Sequence, residues 1–250
     1  MLALITGASS GIGRDMAKVL ADKGYDLILV ARRRERMEKL AGELKTKCEI
    51  ISMDLSETEN CMKLYDLIKE KQIDVLINNA GFGIFGEFTE TDLSRELSMI
   101  NTNIVALHVL TKLFAKELEK RGRGYILNVA SSAAFLPGPL LSAYYASKAY
   151  VLRLTEAVNE EMRRKGKDVH LSALCPGPVE TEFDSVANVR FSLSGLKSDY
   201  VARYAIEKMF KNKRVIIPGL VMKLAYVGEK LLPDGFITKI AYNMQKKKCG

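Results

Sequence analysis

Thr6-Gly7-Ala8-Ser9-Ser10-Gly11-Ile12-Gly13 follows the apolar run Leu2–Thr6 and opens the helix-period segment Ile12–Lys23. A glycine pattern alone says little; between a strand and a helix it defines a dinucleotide-binding turn. Gly7 permits the tight turn, Gly11 lets backbone approach a pyrophosphate, and Gly13 lets helix pack on strand. The helix N-terminus behind them supplies unpaired N–H donors and positive potential, with Ser9, Ser10 and Ile12 as candidate contacts. The bland alternative is a glycine-rich turn that binds nothing.

Outward from this turn, apolar runs alternate with amphipathic segments. Leu2–Thr6, Asp26–Val30, Glu49–Met53, Asp74–Asn78, Tyr125–Val129 and Val169–Leu174 read as short strands, apolar almost throughout. Such strands belong to a parallel sheet covered on both faces. Ile12–Lys23, Arg33–Thr46, Glu57–Glu70, Leu93–Lys120 and Ala146–Lys165 read as helices. This alternation predicts an α/β fold, a Rossmann-type doubly wound parallel sheet of about seven strands with helices on both faces. Pro176-Gly177-Pro178 breaks the rhythm, a loop-like stretch follows, then a helix near 198–211 and a strand Val215–Ile217. Leu220, Leu224, Val227 and Leu231, then Phe236, Ile240 and Met244, recur at helical spacing. The expected organisation is therefore one nucleotide-binding domain over 1–217, carrying a substrate loop at 181–212, and a basic helical extension over 218–250 packed on it.

The second strand ends at Val30-Ala31-Arg32-Arg33-Arg34. An NAD-type site wants an acid there to accept from the ribose 2′-hydroxyl. Arg32 and Arg33 instead form a fork suited to a 2′-phosphate, which a carboxylate would repel. The expectation is NADP(H) rather than NAD(H), although some of these arginines also serve as a solvated helix start.

Tyr144 and Lys148 stand four residues apart at the start of a helix, on one face of it. Ser131 precedes Tyr144 by 13 residues and follows the strand Tyr125–Val129. The C-terminal edge of parallel strands is where open α/β sheets bind ligands.

With these motifs the chain resembles the short-chain dehydrogenase/reductase family over roughly 1–217. The family's TGxxxGxG corresponds to Thr6–Gly13, its acidic adenine contact to Asp54 in Met53-Asp54-Leu55, and its NNAG to Asn78-Asn79-Ala80-Gly81. Its helix asparagine corresponds to Asn103, its serine to Ser131, its YxxxK to Tyr144 and Lys148, and its PG motif to Pro176-Gly177-Pro178-Val179-Glu180-Thr181. Within the family the chain is most similar to bacterial members of the DltE-like and 3-oxoacyl or hydroxy-acid reductase type.

The resemblance implies roles. Tyr144 protonates a substrate carbonyl oxygen while NADPH delivers hydride to its carbon. Lys148 favours tyrosinate and binds the nicotinamide ribose. Ser131 hydrogen-bonds the carbonyl oxygen. Asn103, chosen over Asn101, holds a water in a proton relay to Lys148. Leu55, Asn79, Ala80, Gly81, Pro176 and Gly177 line the cofactor, and Val179 and Thr181 contact the carboxamide. Tyr145 and Tyr150 read as packing, and Ser132 as the wrong serine. The family also implies a homodimer or homotetramer built on the YxxxK helix and on helix 101–120, whose apolar residues occupy much of its circumference.

Phe82, Ile84 and Phe85, then Phe135, Leu136, Pro137 and Leu140, with Phe183 and Phe191, suit an apolar carbonyl substrate. Two other readings fit the motifs: an isomerase or lyase that retains NADP, and a non-catalytic NADP(H)-sensing module. The full Asn103, Ser131, Tyr144 and Lys148 set disfavours the sensor, which needs no proton relay.

The 250 residues, 48% hydrophobic and 27% charged with Gly 18 and Pro 6, exclude disordered and collagenous classes. Cys48, Cys61, Cys175 and Cys249 form no CxxC pair, and Cys48 and Cys175 read as small core residues. His108 and His170 stand alone, so no protein metal site is expected. The N-terminus lacks a basic signal region and no apolar run is expected to reach the roughly 18 residues of a membrane span, so a cytoplasmic location is expected. Net charge is +8, carried entirely by residues 190–250. That basic quarter reads as a solvated surface over an interface helix, or as a contact for acyl carrier protein, coenzyme A or an anionic membrane surface. No aromatic-interleaved basic motif points to nucleic acid.

Overall fold

The computed structural model describes residues 1–183, 187, 195–229 and 233–246. Phe191, Leu231, Lys247, Lys248 and Cys249 lie outside the described residues, as do 184–186, 188–190 and 192–194 of the expected substrate loop.

Among the described residues, seven parallel strands form one sheet in the order β3-β2-β1-β4-β5-β6-β9. They are β1 (Leu2–Thr6), β2 (Asp26–Ala31), β3 (Cys48–Ser52), β4 (Val75–Asn78), β5 (Arg123–Val129), β6 (Asp168–Leu174) and β9 (Val215–Ile216). A separate pair, β7 (Val179–Glu180) and β8 (Leu196–Lys197), lies beyond β6. The helices are α1 (Gly11–Asp22), α2 (Arg34–Glu43), α3 (Thr58–Ile68), α4 (Leu93–Ile100), α5 (Leu107–Arg121), α6 (Ser142–Arg164), α7 (Ser198–Phe210), α8 (Leu220–Glu229) and α9 (Asp234–Lys246).

Alternation along the strands sorts the core into two layers. Ile5, Leu27, Leu29 and Ile77 pack with Met16 and Leu20 of α1 and with Val201, Ile206 and Met209 of α7. Leu4, Ile28, Leu76 and Ile126 turn to Cys61 and Leu64 of α3 and to Leu110, Phe114 and Leu118 of α5. Both faces are thus sealed, which is why the strands read as continuous apolar runs. Successive strands run outward from β1 to β3, and β4 then returns to the other side of β1. That reversal opens a crevice above the C-terminal ends of β1 and β4, the ligand site of such sheets.

The single helix expected at Leu93–Lys120 is α4 and α5 joined by a π-helical turn, Asn101–Ala106. Such turns cluster at functional sites, and this one carries Asn103. Contrary to the expectation that no run reaches spanning length, the 93–121 helix is by length and composition apolar enough to cross a membrane, because charged residues are few over its most apolar stretch. Its residues Leu107, Leu110, Phe114 and Leu118 are instead packed in the core. The helix expected from Ala146 begins at Ser142, so the aromatic pair Tyr144-Tyr145, β-like by composition, lies inside its first turn. Cys175 is buried as expected, while Cys48 is only half-buried.

Candidate active site

The crevice leads into a cavity of about 580 Å³ that runs from the glycine turn to the start of α6. At its first end Gly7 and Gly11 have φ of +65° and +54°, conformations that favour glycine. Space forbids side chains there as well. A Cβ on Gly7 would lie 2.9 Å from the Ala80 backbone, and one on Gly13 would lie 2.5 Å from Gly7 O. Ser10, at the N-cap of α1, makes no side-chain cap hydrogen bond, so the first-turn donors are not taken up by their own cap. This cradle fits a dinucleotide pyrophosphate.

Asn79 braces the turn. Its Nδ2 donates to Thr6 O and Gly7 O, both at 3.1 Å. Thr6 Oγ1 in turn accepts from the Asn79 and Ala80 N–H groups at 3.0 and 3.1 Å. The NNAG asparagine therefore ties β4 to β1, and its amide hydrogens serve backbone carbonyls.

The adenosine side carries Arg32, Arg33, Asp54 and Leu55. Arg33 Nη2 donates to Ser10 Oγ at 2.8 Å and Ser9 Oγ at 3.2 Å. Its Nη1 donates to Glu182 Oε2 at 2.7 Å. Arg32 Nη1 stands 3.6 Å from Asp54 Oδ2. Desolvation opposes ionisation of Asp54, but the Ser56 N–H and Arg32 hold its carboxyl below the usual range.

At the other end Tyr144, Lys148 and Ser131 come together, with Ser132 also on the wall. Lys148 is 5% exposed, donates to Val129 O at 2.9 Å, and its Nζ lies 5.7 Å from the centre of the Tyr144 ring. Burial pulls its ammonium down to about 8. Burial pushes the Tyr144 phenol well above its ordinary value, against the pull of a hydrogen bond with Ser131. Ser131 Oγ also accepts from the Ala133 N–H at 3.1 Å, which fixes the hydroxyl at the end of β5. Ala80, Gly81, Pro176, Gly177, Val179 and Thr181 complete the wall between the two ends.

Asn103 is fully buried, whereas Asn101 is only half-buried. Asn103 Nδ2 donates to Phe82 O at 2.9 Å and to Ser147 Oγ at 3.1 Å, and its Oδ1 accepts from the Phe82 N–H at 3.1 Å. A Cβ on Gly81 would sit 2.8 Å from Asn103 Oδ1 and 3.3 Å from Lys148 Nζ. Only a residue without a side chain lets the Asn103 amide oxygen and the Lys148 ammonium approach the backbone this closely.

The expected apolar wall holds in part. Phe82, Phe135, Leu136 and Phe183 line the cavity, but Leu141 takes the place expected of Leu140, and Pro137 is not on the wall. Ile84 and Phe85 pack in the cluster around Tyr144 instead. One aromatic expectation needs correction. Tyr145 packs on the cluster around Tyr144 as expected and also lies on the cavity wall, where its hydroxyl accepts from Gln245 Nε2. Tyr150 is 37% exposed and its hydroxyl meets His108 Nδ1 at 2.7 Å.

Sequence reasoning also missed Met222, Ala225, Ala241 and Gln245 on the wall. The tail is no mere solvated cover. Met222 and Tyr226 pack on the cluster holding Phe135, and Ile237, Ala241 and Gln245 form a buried stripe on α9. The 237, 241, 245 spacing was the available signal, obscured by the more apolar stripe that faces outward.

A family model described as short chain dehydrogenase matches residues 1–189. The chain belongs to the short-chain dehydrogenase family. A very-long-chain 3-oxoacyl-CoA reductase of Neurospora crassa is 36% identical over 178 residues, 68% of this chain and 54% of the reductase, so the match spans about half the length of that relative. A Sphingobium yanoikuyae short-chain dehydrogenase, in complex with NADPH, matches 88% of each chain with a TM-score of 0.82 and 32% identity. A Burkholderia phymatum short-chain dehydrogenase/reductase, in complex with NAD, gives a TM-score of 0.82 at 25% identity, covering 90% of this chain and 91% of that one.

Proposed function

We propose that this chain is an NADP(H)-dependent oxidoreductase that interconverts a carbonyl and a secondary alcohol on a largely apolar substrate. The observation that carries this is a single cavity with a pyrophosphate cradle and two arginines at one end and Tyr144, Ser131 and Lys148 at the other. When bound, the reduced nicotinamide supplies hydride to the carbonyl carbon.

The remaining steps belong to the chain. Tyr144 donates its phenolic proton to the carbonyl oxygen, and its raised pKa keeps that proton in place at neutral pH. The Ser131 hydroxyl donates to the same oxygen and stabilises the charge that develops there. Lys148, positive below about pH 8, lowers the cost of the tyrosinate left behind. It also offers a donor to the nicotinamide ribose. A water held by Asn103 would return a proton through Lys148 to the pair.

Gly7, Ser9, Ser10, Gly11 and Ile12 hold the pyrophosphate. Arg32 and Arg33 take the 2′-phosphate, Asp54 and Leu55 the adenine, and Val179 and Thr181 the carboxamide. The apolar wall favours a substrate such as an acyl chain bearing a ketone, which the name of the Neurospora crassa relative also suggests. The positive charge of residues 190–250 suits an anionic acyl carrier. Leu93 and Leu97, 67% and 50% exposed on α4, would be covered in a homodimer or homotetramer. A cytoplasmic location is part of the same proposal.

A panel of ketones, aldehydes and 3-oxoacyl thioesters, followed by nicotinamide absorbance with NADPH and NADH compared, tests the reading. We expect net NADPH oxidation, lost in Tyr144→Phe while NADPH still binds. Equal kcat/KM for the two cofactors would refute the phosphate assignment. Substantial activity in Tyr144→Phe would place the acid elsewhere.

A further inference from the structure

The arginines assigned to the 2′-phosphate already hold carboxylates, and the two acids differ. Asp54 belongs to the end of β3, where its Oδ1 accepts from the Ser56 N–H at 3.0 Å. Glu182 reaches across the crevice from the segment beyond β7, 149 residues from Arg33 in sequence. Thr181 beside it lies against the glycine turn, its Cγ2 3.1 Å from where a Gly11 Cβ would be. One Glu182 oxygen accepts from Arg33 Nη1 at 2.7 Å, and the other accepts from Arg36 Nη1. One anion between two guanidinium groups is an arrangement that phosphate also takes. Arg33 does not need Glu182 for its orientation, because Ser9 and Ser10 hold its other edge.

We propose that Glu182 is an internal competitor of the 2′-phosphate, a carboxylate held between Arg33 and Arg36 that the phosphate must displace from Arg33, and therefore a determinant of cofactor preference. The proposal rests on the NADP(H) reading of the site. A dianionic phosphate and a carboxylate on the same guanidinium edge repel one another, so one leaves. Glu182 is the one that can move aside: its side chain is exposed, whereas Arg33 is also held by Ser9 and Ser10 and both arginines start a helix fixed to the sheet by Met37 and Leu40. The paired arginines hold the Glu182 carboxyl down to about 2, so the competition persists across the working pH range.

The test is calorimetric titration of the full chain with 2′,5′-ADP, 5′-AMP, NADPH and NADH. Glu182→Gln should lower Kd for 2′,5′-ADP and NADPH by roughly three- to tenfold, the scale of two exposed ion pairs, and leave 5′-AMP and NADH within about twofold. Glu182→Ala, which cannot hydrogen-bond the arginines, should do at least as much. The gain should vanish in an Arg33→Ala background. Weaker 2′,5′-ADP binding by Glu182→Gln would overturn the proposal in favour of a clasp over the bound ligand. Equal tightening of all four ligands would overturn it in favour of a general charge effect. If the wild-type chain prefers 2′,5′-ADP to 5′-AMP and Glu182→Gln changes nothing, only this proposal fails. If wild type shows no such preference, the NADP(H) reading fails and takes the proposal with it.

Discussion

Lys148→Met should stabilise the ligand-free protein at neutral pH and abolish turnover, and its stabilising effect should fade with alkali. Burial lowers the Lys148 ammonium from 10.5 to about 8 in the folded chain. The unfolded chain therefore binds the proton more tightly between those values, and stability rises with pH through that window. Below about pH 8 the folded state carries a desolvation cost of about 3 kcal/mol, because holding the proton costs about 1.4 kcal/mol for every tenfold loss of proton affinity. Methionine, of similar length, removes that cost. It also removes the hydrogen bond to Val129 O, and a buried carbonyl left without a partner costs about 1–3 kcal/mol. The net gain at pH 7 is about 1 kcal/mol. Between pH 7 and pH 9.5 the wild type should gain about 2 kcal/mol relative to the variant, so the order reverses. Urea unfolding of both proteins at a series of pH values reads this directly, because groups common to both cancel in the difference. A wild-type minus variant difference that stays flat from pH 7 to pH 9.5 would refute a depressed Lys148, and with it the account of how a buried ammonium serves Tyr144.

Other outcomes follow from the same geometry. Gly81→Ala would set a Cβ 2.8 Å from Asn103 Oδ1 and 3.3 Å from Lys148 Nζ. It should lower kcat by about a hundredfold by shifting both groups, the lower end for a lost acid–base path, and cost about 1–3 kcal/mol in urea denaturation, as for overpacked sites. Gly13→Ala would set a Cβ 2.5 Å from Gly7 O and hard against Asn79 Nδ2. Urea denaturation should show a loss of about 1–3 kcal/mol, as for overpacked sites, with weaker dinucleotide binding in fluorescence titration.

Much of this protein is written locally. A glycine turn between a strand and a helix declares itself within eight residues. Tyr144 and Lys148 share a helix face because four residues make about one turn. Buried parallel strands appear as unbroken apolar runs because both of their faces are covered. Those signals determined the sheet, the nucleotide turn and the candidate acid without any coordinates. Boundaries blurred where local preference and tertiary context disagree, as at Tyr144-Tyr145, whose place in the first turn of α6 follows from packing against Phe183 and Met99.

The rest was decided by pairings between distant parts of the chain. Asn103 serves Phe82, Gln245 serves Tyr145, and Glu182 serves Arg33 and Arg36. Each links segments from about twenty to nearly 150 residues apart, and no periodicity encodes which polar group will meet which. Closing such loops depends on the whole sheet being assembled. Only the tertiary structure therefore shows that the tail walls the cavity and that a glutamate sits between Arg33 and Arg36.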